Sequence, residues 1–283
     1  MGKGGVMMRR EKMVNWLIFA FILVLVIIWM VPVYYLVVST FKTGTEVAAH
    51  PFALPKSFSF AGYVKAFNDM QFPRALANTI FVAIMTVVIN ITVSTFAAYA
   101  LARHESKLNN VIYMFFLVGM MIPVQMGLSG LYRLISALGL VNNLFSVVLI
   151  GAAGSTISSV FLIKSFIVSA IPKEIEESAR IDGCGVYAVL FRIVIPLLKP
   201  IIATVSIIVM LGTWNDYLNP SLFLHSRSKD VILQEVYRNV GQFSTDWASL
   251  FPMLILGILP LTIIYILMQR LIISGVTQGA VKG

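Results

Sequence analysis

The chain has 283 residues, 59% of them hydrophobic and only 12% charged, with a formal net charge of +9. A soluble domain carries about 25% charged residues; here Lys and Arg flank apolar runs instead of interleaving with aromatics, which excludes both an ordinary soluble enzyme and a nucleic-acid partner. The single cysteine, Cys184, allows no internal disulfide, and His50, His104 and His225 are scattered with no HExxH, so no metal site is expected.

Several apolar blocks exceed the roughly 18 residues that mark a membrane span. They predict an all-α polytopic membrane protein with six transmembrane helices, at about 15–38, 76–101, 111–128, 143–168, 188–212 and 250–270. Helices are the expected form because each backbone amide in lipid needs a partner within its own segment. The first run, Trp16 to Val38, is longer than the roughly 7–15 apolar residues of a signal-peptide core and has no A-x-A-like site after it, so it is read as a retained span. One domain over 1–283 follows, with a tail at 1–14, a six-span core at 15–270 and a tail at 271–283.

Lys3, Arg9, Arg10 and Lys12 precede the first span and place the N-terminus in the cytoplasm by the positive-inside rule. An even number of spans returns the C-terminus to the same side. Arg103, Lys107, Lys164, Lys173, Arg180, Arg192, Lys199, Arg270 and Lys282 then also lie inside. The outer loops are expected at about 39–75 and 213–249. In the first, FAGYVKAFNDM brings Tyr63, Phe67 and Met70 to helical spacing and predicts a short amphipathic surface helix. In the fourth span, GAAGSTISS (151–159) repeats small residues at Gly151/Ser155 and Ser155/Ser159, a spacing that lets helix backbones approach closely in lipid. Packing within the chain and contact with a second membrane subunit both fit it.

Between the fourth and fifth spans lies the charged knot KEIEESARID, residues 173–182, followed by Gly183. It reads as a helix of about three turns. Pro172 suits the first helical position, and Glu174 and Glu176 sit at the positive end of the helix dipole. Lys173/Glu177 and Glu176/Arg180 are i,i+4 pairs worth about 0.2–0.5 kcal/mol each when exposed. Gly183 can take the positive φ of a C-terminal cap. Three uses compete: a helix lying on lipid, a solvated connector, and a docking helix for a cytoplasmic protein. The first fits poorly, since interfacial helices are usually rich in Lys and Arg and this one carries four acids against two bases. The small face of Ser178 and Ala179 favours docking.

No GxxxxGK[ST] occurs, so no nucleotide site of the P-loop kind is expected. The interiors of spans one, two, three, four and six hold no ionisable groups of the kind ion-coupled carriers use, and Arg192 and Lys199 lie toward one end of the fifth. A transporter so built must receive its work from a partner. The alternative class is a membrane anchor or sensor that binds through the same helix and moves nothing.

The stretch IPKEIEESARIDGCGVYAVLFRIVIPLLKP closely resembles the EAA loop of permease subunits in bacterial binding-protein-dependent ABC importers. Glu177-Ser178-Ala179 fill the Glu-Ala-Ala triplet, Asp182-Gly183 follow, and Ile193, Ile195 and Pro196 occupy the end; Ser178 replaces Ala and Ile195 replaces Leu. RALANTIFVAI, TWNDYLNP and the terminal SGVTQGAVKG look like the carbohydrate branch, the maltose-transporter type. The resemblance implies ATPase docking through Glu174, Glu177, Ser178, Ala179, Arg180, Asp182 and Gly183, with no covalent catalysis in this chain. It implies a second homologous permease subunit, a cytoplasmic ATPase dimer holding ATP and Mg, an extracytoplasmic sugar-binding protein, and a multi-pass position in the bacterial cytoplasmic membrane. Residues 219–246 would reach toward the binding protein, and Gln278 to Gly283 would lie near the ATPase. A related permease for another solute, such as a polyol, glycerol phosphate or a uronate-containing oligosaccharide, is the alternative within transport.

A sugar path needs a few placed polar groups in an apolar wall. Asn90, Gln125, Asn143, Trp214, Asn215 and Asp216 are the candidates, with Thr92 and Tyr217 beside them. Interhelical hydrogen bonding is the competing role for Asn90 and Thr92, and a place in an interfacial aromatic belt is the competing role for Trp214 and Tyr217.

Overall fold

The computed structural model describes residues 3–104, 106–240 and 246–280, with side chains described for 12–104, 106–240, 246–267 and 269. Every described regular element is helical: α1 (Lys3–Ser39), α2 (Gly44–Ala49), α3 (Ala61–Asp69), α4 (Phe72–Arg103), α5 (Lys107–Gly119), α6 (Leu128–Ala137), α7 (Leu144–Ala170), α8 (Lys173–Ile181), α9 (Val186–Val189), α10 (Ile195–Leu197), α11 (Lys199–Trp214), α12 (Leu218–Phe223), α13 (Ile232–Arg238) and α14 (Trp247–Ala280). The side chains of Lys3, Arg9 and Arg10, and the residues expected near an ATPase at 278–283, lie outside the described side chains.

Among the described residues, four helices are long and apolar enough to cross a membrane: Lys12–Ser39 of α1, α4, α7 and Trp247–Leu267 of α14. Two bent pairs bring the number to as many as six. The expected third span, 111–128, is not one straight helix. α5 stops at Gly119, and Val124–Ala137 leaves at 95° to it. Pro123, with extended backbone (φ −60°, ψ 125°), opens the turn at Val124–Gly127, and the residue before a proline resists the helical region. At 1.5 Å per residue, the 13 residues of α5 reach about 20 Å, short of a hydrocarbon core about 30 Å thick. The expected fifth span, 188–212, is likewise an elbow: Val186–Leu197 and Lys199–Trp214 meet at 72°. A π-turn at Leu190–Val194 precedes it. Pro200, in the first turn of α11, has no N–H to carry the ladder through.

Packing divides the chain into two compact units, 1–69 with 239–256 and 70–238 with 257–283. In the first, α2 begins with a full capping box, Thr43 bonding the Glu46 amide and Glu46 reaching back to the Thr43 amide. Lys42 is 5% exposed, yet its ammonium donates to the carbonyls of His50 and Pro51, each at 2.9 Å. The amphipathic helix expected in the first loop is α3. Its inward side is Tyr63 and Ala66, while Phe67 is exposed. Gly62 lets it approach the start of α14, because a Cβ there would meet the Ala248 carbonyl oxygen at 2.9 Å.

The second unit is centred on α4, α7 and α11. One cluster joins Ala98, Tyr99, Val160, Ile163, Ile167, Ala179 and the stripe Leu190, Val194, Leu198, Ile201, Val205, Val209. The stripe's spacing of 4, 4, 3, 4 and 4 keeps one face inward across the elbow. A second cluster joins Val82, Ile135, Val147, Val148, Phe223, Leu224 and Val231. Lipid is as apolar as these side chains, so close packing and interhelical hydrogen bonds hold such helices together. The small residues of α7 supply both. Gly151 faces Thr86, whose Cγ2 a Cβ would meet at 3.2 Å. Ser159 Oγ donates to Asn90 Oδ1 at 2.8 Å. The Gly151 and Ser159 ends of the stripe therefore pack within the chain.

Candidate functional site

The charged knot forms α8, nine residues with Glu174 and Glu176 in the first turn and Arg180 in the last. Pro172 stands one position earlier than expected, as the residue that caps the helix, with ψ 141°. Its extended backbone turns the chain out of α7. The far end closes as expected: Gly183 has φ +87°, and Cys184 N–H returns to the Ala179 carbonyl at 3.0 Å.

The two sides of α8 differ. Glu174, Glu177, Ser178, Arg180, Asp182 and Gly183 are exposed, whereas Ala179 is buried in the first core cluster. Ala179 thus seats the helix on its own chain and presents nothing outward. Glu176 is also buried, which corrects its expected place on an exposed face with Arg180. Its Oε1 accepts from Arg103 Nε at 2.7 Å and its Oε2 from the Tyr99 hydroxyl at 2.8 Å. Arg103 Nη2 also donates to the Ile171 carbonyl at 2.8 Å, at the C-terminal end of α7. The Arg103 and Glu176 side chains are 7% and 5% exposed. One guanidinium therefore ties α4, the end of α7 and α8 together. Glu176, Arg103 and Tyr99 were absent from the sequence-derived candidates. Arg103 is 73 positions from Glu176, and no local pattern links them.

A separate cavity of about 390 Å³ lies in the second unit, lined by Val124, Gln125, Leu128, Ile150, Gly151, Gly154, Ser155, Gly212, Thr213, Asp216, Leu218 and Asn219. Gly154 and Gly212, where a Cβ would meet nothing within 4 Å, leave room where α6, α7, α11 and α12 converge. Gln125, Ser155, Thr213, Asp216 and Asn219 supply polar atoms, and Asp216 is the only ionisable lining group. Asp216 accepts from the Asn219 backbone at 3.1 Å and from its Nδ2 at 2.6 Å. The Asn219 Oδ1 is buried with no partner, an acceptor with unused capacity beside the cavity.

Of the six sequence-predicted path residues, Gln125 and Asp216 reach this cavity. Asn90 is fully buried between α4 and α7, donating to the Ala152 carbonyl at 3.0 Å and to Thr156. Asn143 caps α7 through the Phe145 amide. Asn215 donates to the Leu211 carbonyl. Trp214 is buried, its indole N–H donating to Gly257 O at 3.1 Å; a buried indole takes a carbonyl partner, so it is no belt aromatic. Tyr217 stacks on Tyr237 with ring centroids 4.1 Å apart. Ser155 and Thr213 went unrecognised because Ser and Thr in apolar helices read as packing residues, and Asn219 because it was assigned to the outer loop.

The segment after the cavity is fixed to the Phe72 end of α4. Glu235, fully buried, is shared by Arg74 and Arg227. Asn78 Nδ2 donates to the Ser228 and Asp230 carbonyls, and Thr79 Oγ1 accepts from the Ile232 amide at 2.9 Å. Asn142, at φ +58°, holds the His225 and Ser226 amides through its side-chain oxygen.

The described chain is a helical membrane protein with a short capped acidic helix between two apolar segments. Residues 90–278 match the family described as binding-protein-dependent transport system inner membrane component, and the chain belongs to it. It is 32% identical over 252 residues to the probable ABC transporter permease protein YurM of Bacillus subtilis (strain 168), covering 89% of this chain and 83% of the relative. It is 31% identical over 253 residues to the melibiose/raffinose/stachyose import permease protein MelC of the same organism, covering 89% and 91%. The probable starch degradation products transport system permease protein AmyC of Thermoanaerobacterium thermosulfurigenes is 30% identical over 275 residues, covering 97% and 100%. A chain in the crystal structure of a bacterial ABC transporter that imports the acidic polysaccharide alginate shares the fold, with TM-score 0.82 and 21% identity over 93% of this chain and 97% of that one.

Proposed function

We propose that this chain is the permease subunit of an ATP-driven importer of sugars or oligosaccharides, and that α8 is the helix through which a separate ATPase moves it. The exposed acidic side of α8, closed by a left-handed glycine and standing between two apolar segments, carries the reading. The sugar names of MelC and AmyC support the substrate class. In this reading the chain spans the bacterial cytoplasmic membrane with both termini inside. ATP and Mg belong to the partner ATPase, a second permease completes the path, and a binding protein delivers solute to the outer side, where the loop expected at 219–246 would reach toward it. The lipid bilayer surrounds α1, whose apolar side chains are exposed on every side.

The cavity at Gln125, Ser155, Thr213, Asp216 and Asn219 is the part of the solute path that this chain supplies. Hydroxyl groups are donors for the unused Asn219 Oδ1, and small side chains leave space for a sugar ring. With one carboxylate and no cation in its lining, the cavity favours an uncharged sugar over a uronate, whose carboxylate Asp216 would repel.

Two measurements test the reading. With Cys184 replaced by serine, the Glu177→Cys variant should crosslink to the ATPase in the assembled transporter; failure in a well-assembled complex would make α8 a plain connector. The partner binding protein should bind neutral oligosaccharides from a panel that also contains uronate oligosaccharides. Binding restricted to the uronates would sink the substrate assignment.

A further inference from the structure

We infer that the buried Glu176–Arg103–Tyr99 cluster is the linkage that passes displacement of α8 into α4, which makes Glu176 a positioning residue for transport. The inference rests on the reading of α8 as the helix gripped by an ATPase, and it names the chain's own residues that transmit the motion. α8 is short and its outward side is acidic, so packing alone attaches it through a small contact, mainly Ala179 among Val189 and its neighbours. The polar attachment is more directional. Glu176 uses both carboxylate oxygens, one on Arg103 and one on Tyr99, and both donors belong to the last two turns of α4. Arg103 uses its remaining reach on the Ile171 carbonyl, one of the unsatisfied carbonyls at the end of α7.

Breaking such a pair leaves a buried charge without its partner. Sliding α8 without α4 would do that, so moving the two together is the lower-energy course. α4 then runs unbroken for 32 residues to Phe72. There Arg74, Asn78 and Thr79 hold the 226–238 segment. The cluster thus stands where motion entering at α8 first meets a continuous helix.

The experiment uses the full transporter with its native partners, Cys184→Ser throughout, and two reporters in separate versions. Glu177→Cys reports docking by crosslinking to the ATPase. Ser155→Cys, in the cavity lining, reports alternation through its labelling rate with a membrane-impermeant maleimide, with and without ATP plus vanadate. In the Glu176→Gln background the crosslink should form as in the parent, while the nucleotide-driven change at position 155 should shrink roughly 2- to 30-fold. A purely structural role would lower docking and response together; a full response at 155 with docking intact overturns the inference. If Glu176→Gln does not assemble, Arg103→Lys and Tyr99→Phe are read the same way. Each keeps the fold's charge or ring, a graded loss supports the linkage, and a full response in both overturns it. A parent transporter that assembles without crosslinking at 177 overturns the reading of α8 itself, and this inference with it.

Discussion

Asn90 has no exposed surface, and its amide is shared among the Ala152 carbonyl, Thr156 and Ser159 of α7. Interhelical hydrogen bonds of this kind average about 0.6 kcal/mol and reach about 1.7. Asn90→Ala removes the bonds and empties part of a close contact, so it should destabilise the purified chain by about 1–3 kcal/mol. Thermal unfolding in detergent checks this, and solute selectivity should not change because the residue does not line the cavity. Asn90 shows how much a single position reveals before folding: a polar residue in an apolar run signals that something binds it, without saying what. Gly183 was more legible. A glycine at the end of a capped helix has one common use, and its φ of +87° fulfils it. Glu176 was not legible at all. Its i,i+4 neighbour Arg180 offered a ready local partner, and nothing in a ten-residue window distinguishes an acid that faces water from one that faces Arg103.

At the scale of elements, helices were readable from the apolar runs, and their direction was not. Residues 111–128 form a continuous apolar stretch that hydropathy joins into one span, while Pro123 turns it by 95°. The backbone donor lost at a proline does not register in a sum of side-chain hydrophobicity. The small-residue run in α7 left two partners open, and the fit of Gly151 to Thr86 and of Ser159 to Asn90 settles those positions on α4. Outside the spans, Lys65 of α3 and Asp246 before α14 make a 2.6 Å pair, each about half exposed. Hydrogen bonds from Lys65 and Ser249 hold the Asp246 carboxyl below its ordinary value of 3.8, and the carboxylate holds Lys65 above its ordinary 10.5. The stabilisation is therefore full between those values. It is lost as pH falls through the depressed Asp246 value or rises through the elevated Lys65 value. An exposed pair contributes at most about 1 kcal/mol. Asp246→Asn should lower the midpoint of thermal unfolding slightly at pH 7, and the difference from the unaltered protein should close in strong acid and in strong base.

Across the whole molecule, the chain's chemistry is sparse by design. The described residues hold no cluster of three or more metal-ligating side chains, and each end of α4 carries a buried ion pair, Arg74 with Glu235 at one and Arg103 with Glu176 at the other. Purified alone and reconstituted in vesicles, the chain should release no phosphate from ATP; sustained hydrolysis would assign the motor to this subunit and contradict the proposed division of labour. The composition announced a membrane protein and the 173–183 stretch announced its family. The polar couplings at the two ends of α4 that tie it to other elements join residues 68 to 161 positions apart, beyond the reach of any periodicity.

The contrast between α4 and the elbowed α9–α11 segment has an engineering consequence. A beam 32 residues long, about 48 Å end to end, can bear thrust along its axis; a strut jointed at 72° folds under the same load. On the proposed reading of α8, a push delivered beside Arg103 would be borne along the beam toward Phe72, and the joint between Leu197 and Lys199 is where the strut would yield.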